Sequence, residues 1–421
     1  CLAIAPFSSL ASTSDELPDI GGASGTVLSP AEEKRMGKAF MRYIWSTEAV
    51  IEDALMDDYI NQLGRELVSN SEGRSSHFKF FLIDDNSINA FAGPYGYIGV
   101  NTGLISTTES ESELAAVVAH EISHVTQRHL FRAWHANSSM SLVHAAILLA
   151  TIALGATAGG EAAIAAASVG QAAMLQGQIN FTRANEKEAD RIGIQILADS
   201  GYEPRAMPSF FSRMGRASQT SATRLPEFLQ THPVTTARIS DSLGRAEKYP
   251  HRQHADDLRY QLTRAAIKER NFSRAEEAVD YFAKTLADGR YQRKEADQYG
   301  YVLALTRDHQ LEAARAQVGE LIESHPDVLE FILAHARIEA EAGNVEKATA
   351  ILEHALPNFP ASYPMLLELS SLYLRSKQPA KAYKILNQLA FQKPGDIRIY
   401  ELLAHAAADS GDQIKSHEYL A

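Results

Sequence analysis

The sequence predicts an α+β protein, mostly helical, in two domains: an N-terminal domain with a small β-sheet, then an all-α solenoid of helical repeats. Three observations carry this. β-rich segments cluster between residues 77 and 100, with helical periodicity before and after them. Beyond about residue 255 the pattern is helical throughout, and Pro326, Pro360 and Pro394 recur every 34 residues. The length, 421 residues, exceeds what one hydrophobic core usually serves. The expected units are 1–28, an export-signal remnant or lipoprotein N-terminus with an extended lead-in; 29–250, the sheet-containing domain; and 251–421, the repeats.

The formal net charge of −12 argues against a nucleic-acid binder, whose footprint would be basic. The single cysteine is residue 1, so no internal disulfide and no cysteine metal site is available. Cys1 reads as a lipidated first residue, or residues 1–11 as the tail of a secretory signal with a small-residue cleavage site. Both readings imply export.

Ser29-Pro30-Ala31-Glu32 marks a helix start, with Ser as N-cap, Pro in the first turn and Glu completing a capping box. A second helix is expected over about 49–69, where Leu55, Tyr59, Leu63 and Leu67 share one face. Strands are expected at 77–83, 88–91 and 97–100, with a turn at 93–96. An edge strand there could pair with an extended peptide. The next helix starts near Ser110, with Leu114, Val117, Val118, Ile122 and Val125 on its buried side. The stretch 137–160 has no Asp, Glu, Lys or Arg, and a hydrophobic hairpin over about 138–176 is expected, packed near the site or touching a membrane. Helices follow at 181–198 and about 204–217, then a polar loop at 218–226.

In the C-terminal half Ala314, Ala348 and Ala382 share the proline period, and Gly343 and Gly411 fall two periods apart. A 34-residue helix–turn–helix unit with a small residue in its second helix is the tetratricopeptide (TPR) signature. About four units fit, and such a solenoid offers a concave face for proteins or peptides.

Chemistry concentrates in His120-Glu121-Ile122-Ser123-His124. Two histidines four apart stack on one helical face and can share a zinc, while Glu121 can take a proton from water. Gln127 and Leu130 stand where a third histidine ligand would require Gly and His, which excludes that continuation; His129 and His135 read as surface histidines. A third ligand is sought in 185–190, where Glu186 and Asp190 are four apart. Either could bind the metal while the other orients a ligand histidine.

Together with Thr231-His232-Pro233, these motifs resemble the HtpX/Oma-type gluzincin metallopeptidases. With the repeats added, the chain is similar to the periplasmic TPR metalloproteases of Gram-negative bacteria from about residue 17 to its end. The resemblance implies a zincin-like domain with one Zn2+ held by His120, His124 and Glu186. It also implies Glu121 as general base, Asp190 as support for the ligands, and His232 near the metal as oxyanion stabiliser or fourth ligand. Outer-membrane proteins and the β-barrel assembly machinery are the implied substrates and partners, in the periplasm. A chaperone or adaptor with a latent metal site is the competing reading, and Arg238 is expected to hold the His232 loop by ion pairing.

Overall fold

The computed structural model describes residues 28–72, 77–135, 144, 146–147, 149–150, 183–220 and 227–420. The readings of Cys1, and most of the apolar hairpin, lie outside them. Helix α1 (Pro30–Thr47) begins as expected, with Ser29 capping and Glu32 closing the box. Helix α2 (Ala54–Ser69) begins later than the pattern suggested. Asp53 accepts from the Leu55 and Met56 amides, and Val50 bridges Ile83, so 50–53 is extended.

Strands β1 (Lys79–Ile83), β2 (Ala90–Ala92) and β3 (Tyr97–Asn101) form a sheet in the order β1-β3-β2. β1 and β3 run parallel, and β2 pairs antiparallel to β3, leaving β2 at an edge. Gly96 sits at φ +73°, and a Cβ there would strike the His77 carbonyl, so only glycine fits this turn. Helix α3 (Thr102–Thr107) leads into α4 (Glu111–Thr126), whose residues 111–124 are buried on every side rather than on one face. Its partners are the sheet, α2, α6 (Arg183–Asp199) and α7 (Ala206–Thr220). Leu114, Val117, Val118 and Ile122 anchor this core, which also takes in Phe210, Phe211 and Phe228. Helix α5 (His129–His135) follows α4, and α8 (Glu227–Thr231) and α9 (Thr236–Ala246) close the domain. Of the apolar stretch, Ala146, Leu149 and Ala150 bury against Met36 and Phe40 of α1. Among the described residues no helix is long and apolar enough to cross a membrane.

Five helix pairs follow, where the period suggested about four: α10 (Leu258–Arg270) with α11 (Ala275–Ala287), α12 (Lys294–Arg307) with α13 (Leu311–Ser324), α14 (Leu329–Glu341) with α15 (Val345–Ala355), α16 (Tyr363–Arg375) with α17 (Pro379–Gln392), and α18 (Ile397–Asp409) with α19 (Gln413–Leu420). Ala314, Ala348 and Ala382 are fully buried, as close helix packing requires. The first helices of four pairs end on a left-handed residue at one register: His309, Gly343, Lys377 and Gly411. Each is followed by an amide that reaches back five residues, as in Gln310 to Leu305 and Gln378 to Tyr373. The intervening units carry His309 and Lys377 where the sequence pattern showed glycine.

The inner face of the repeats is not empty. Helix α2 lies against α10 and α16, and Ala54 and Leu55 join the repeat core. Arg259 reaches Asp58 at 3.1 Å, Arg398 reaches Asp57 at 3.3 Å, and Arg337 lies 3.9 Å from Asp53. A cleft of about 620 Å³ remains there, lined by residues including Asp53, Tyr299, Arg337 and Arg375. The solenoid also joins the start of α4 directly, since the Asp257 amide donates to Glu111 and the Tyr260 hydroxyl to the Thr108 carbonyl.

Candidate metal centre

Helix α4 presents His120 and His124 one turn apart, and α6 packs across it. Gly193 makes that approach possible: a Cβ there would lie 3.3 Å from the His120 amide nitrogen and 2.8 Å from Met207. Glu186, Asp190 and Gly193 share the α6 face that meets α4. The crossing brings His120 Nε2 and His124 Nε2 to 3.0 Å and places the His124 Nε2 3.5 Å from Glu186 Oε1. His232, at the end of α8, supplies Nδ1 at 3.1 Å from Glu186 Oε1 and 3.3 Å from His120 Nε2. All four side chains are buried, and their ligand atoms lie within 4.8 Å of one another.

These spacings fit zinc. Ligand atoms about 2.0–2.2 Å from a tetrahedral ion stand about 3.3–3.6 Å apart, and the N/N/O donor set suits it. Four converging lone-pair donors in a dry interior would be costly without a cation or proton among them.

The surrounding groups hold the donors in place. Asp190 Oδ1 lies 3.0 Å from His120 Nδ1, so the Asp190 carboxylate fixes the ring with Nε2 facing the cluster. Arg238 forks onto Asp190 at 2.9 and 2.7 Å, and its other arm meets Glu186 at 2.8 Å and the Pro233 carbonyl at 2.9 Å. Its guanidinium lies over Phe211, with a centroid distance of 4.9 Å. Arg238 therefore holds the His232 loop, as the sequence suggested, and also both α6 carboxylates, which it did not. Glu121 accepts from the Ala92 backbone amide on edge strand β2, and its Oε1 lies 3.4 Å from His232 Nε2.

Burial alone would push the His120 imidazole down, but Asp190 and Glu186 outweigh it and hold the ring up at about 10. Burial and the neighbouring His120 push His124 well below its usual value. Burial also opposes ionisation of Glu186, yet His232, His120 and His124 hold its carboxyl well below the ordinary range. Glu121 is pushed up by burial, with His232 and His120 opposing.

His129 corrects the sequence reading. It is fully buried, with Nδ1 2.8 Å from His124 Nδ1 and Nε2 3.0 Å from Glu188. Arg128, at φ +54°, turns the chain sharply after α4 and folds His129 back over it. A left-handed non-glycine residue leaves no mark in the pattern. The His135 side chain lies outside the described residues.

Two buried histidines on one helix, a carboxylate from a facing helix and a glutamate beside the first histidine define a metallopeptidase of the His-Glu-x-x-His class. The model of peptidase family M48 matches residues 54–246, and a tetratricopeptide-repeat model matches 339–406. The chain is 34% identical over 397 residues to the beta-barrel assembly-enhancing protease of Yersinia pestis, spanning 94% of this chain and 81% of that one. The protein of the same name from Escherichia coli K12 is 34% identical over 398 residues, again covering 94% and 81%. A mitochondrial metalloendopeptidase OMA1 of Arabidopsis thaliana is 28% identical over 223 residues, 51% of this chain and 41% of that one. The chain belongs to peptidase family M48, as a metallopeptidase with appended tetratricopeptide repeats.

Proposed function

We propose that this protein is a zinc-dependent endopeptidase of the bacterial envelope that cleaves misfolded or stalled outer-membrane proteins in the periplasm. Its peptidase unit would span 29–250 and its repeats 251–421. One observation carries the enzymatic part: His120 Nε2, His124 Nε2 and Glu186 Oε1 converge at zinc-ligand spacing, and Glu121 stands 3.4 Å from His232 at the same cluster. Bound there, the ion supplies Lewis acidity, polarising the scissile carbonyl and making water a better nucleophile. Glu121 takes the proton of the attacking water and passes it to the leaving amine. Asp190 keeps His120 in register, and the β2 edge, whose Ala92 already donates to Glu121, is placed to pair with an extended substrate. The names of the relatives support action on β-barrel substrates, and the repeats support recruitment by a protein partner such as the assembly machinery. Because α2 fills part of the inner face, such a partner would engage the remaining cleft or the outer surfaces.

The test is cleavage of an unfolded outer-membrane protein by the zinc-loaded protein and by Glu121→Gln. The variant retains one zinc per chain and loses cleavage by a factor of at least about 100. Equal cleavage by the variant would remove Glu121 from the chemistry and favour a chaperone or adaptor role with a latent metal site.

His232 has a second role in this reading. Its Nδ1 stands within the donor set and its Nε2 beside Glu121, so it latches the site by filling the fourth position and engaging the base. His232→Ala then retains zinc and cleaves several-fold faster. A loss of about 100-fold or more would instead make His232 the oxyanion stabiliser.

A further inference from the structure

We propose that His129 and Glu188 form a relay that orients the proposed zinc ligand His124, so that His129 is a positioning residue for the metal centre. This rests on the zinc-site reading above. His124 Nε2 faces the donor cluster, 3.0 Å from His120 Nε2, so a metal there requires its lone pair. The His124 proton then sits on Nδ1, and 2.8 Å away the only role left to His129 Nδ1 is acceptor. His129 in turn carries its proton on Nε2, which donates to Glu188 Oε2 at 3.0 Å. Arg132 donates to the same Glu188 oxygen at 2.9 Å and fixes the far end. With both imidazoles neutral and His124 Nε2 left to the metal, this arrangement gives each of the two ring N–H groups an acceptor.

The two ligand histidines are thus supported differently. His120 meets the Asp190 carboxylate directly at 3.0 Å, whereas His124 reaches a carboxylate through a second imidazole. The local backbone is shaped for this contact. Arg128 adopts φ +54°, which costs a non-glycine residue about 1 kcal/mol, and the turn places His129 over His124 with ring centroids 4.8 Å apart. Arg128 is itself held, stacked over Phe131 at 5.0 Å and paired with Glu33 at 3.4 Å. His129 is fully buried although its helix begins at the surface turn, so the ring is turned towards the site.

The experiment measures zinc affinity by chelator competition, and the visible spectrum after cobalt substitution, on the full chain. His129→Phe keeps a flat ring but removes the acceptor that His129 Nδ1 offers His124; zinc binding weakens 10–100-fold and the cobalt bands shift. His129→Gln restores an acceptor towards His124 and a donor towards Glu188, and returns affinity to within about threefold of the parent. A purely structural role would not give this rescue, and wild-type affinity with an unchanged spectrum in His129→Phe would overturn the proposal. If His129→Phe fails to fold, Glu188→Leu at the surface decides: at least about fivefold weaker binding supports the relay, and wild-type affinity refutes it. His124→Ala separates the two claims. If it binds zinc like the parent, the zinc-site reading itself fails; if it loses zinc while His129→Phe does not, only the relay fails.

Discussion

Replacing Arg238 with Met is the most demanding test of the electrostatics around the site. Arg238 is buried, at 4% exposure, and it is the cation shared by Asp190 and Glu186. Met fills much of the stem volume but removes the fork on Asp190, the contact to Glu186 and the bond to the Pro233 carbonyl. Breaking a buried ion pair from one side costs about 3–5 kcal/mol, because the partner charge stays behind. In the metal-free protein Asp190 is then left with His120, which the two carboxylates already hold up at about 10, and Glu186 with His120, His124 and His232. A unit the size of the family match loses about 2–4 °C of Tm per kcal/mol, so the metal-free variant should melt roughly 6–20 °C below the parent. Zinc adds two positive charges beside Glu186, so it should narrow that gap. Arg238→Lys keeps the charge but not the fork, and should fall in between. The assay is thermal denaturation of metal-free and zinc-loaded protein, followed by circular dichroism. A metal-free Arg238→Met variant melting within about 2 °C of the parent would refute the claim that Arg238 balances the two carboxylates.

Gly193→Val places a branched side chain against the His120 amide, so zinc affinity should fall at least about tenfold and stability by about 1–3 kcal/mol, read by chelator competition and urea titration. Lys377→Gly relieves a left-handed residue in the repeats, at φ +57°, and should raise repeat-domain stability by about 1 kcal/mol; a fall would contradict the cap assignment. Arg315, Lys347 and Asn344 hold the buried Glu339 carboxyl down at about 2, against an ordinary 4.5. Its contribution is therefore complete above pH 4.5 and is lost as pH falls towards 2. The shift sets a ceiling of about 3 kcal/mol, which the exposed Lys347 and the partly exposed Arg315 reduce, so Glu339→Gln should cost about 1–2 kcal/mol at pH 7. That deficit should shrink to about half by pH 3 and close by about pH 2, and an equal deficit at pH 7 and pH 2 would refute the ion-pair account.

Much of the site is readable because helical spacing is local. His120 and His124 align by being four apart, and so do Glu186 and Asp190, and the structure brings those faces together. Which acidic residue meets the cluster and which supports His120 is a tertiary fact that periodicity left open. His232 drew notice only through the resemblance, since a His-Pro loop has no geometric signature. His129 was hidden by the left-handed Arg128, and the His309 and Lys377 caps by the absence of glycine. The seating of α2 against the repeats depends on pairs such as Arg398 with Asp57, more than 300 residues apart in sequence, which no local pattern encodes. The start of α2 was set too early because its apolar spacing is clear, whereas the decisive signal is the Asp53 cap.

Anomalous diffraction at the zinc edge from crystals of the zinc-loaded chain would locate the ion among His120, His124, Glu186 and His232. One zinc per chain is expected, about 2.0–2.2 Å from His120 Nε2, His124 Nε2 and a Glu186 oxygen, with His232 Nδ1 completing the shell in the resting protein. Zinc bound elsewhere, or bound by the histidines without Glu186, would contradict that ligand set.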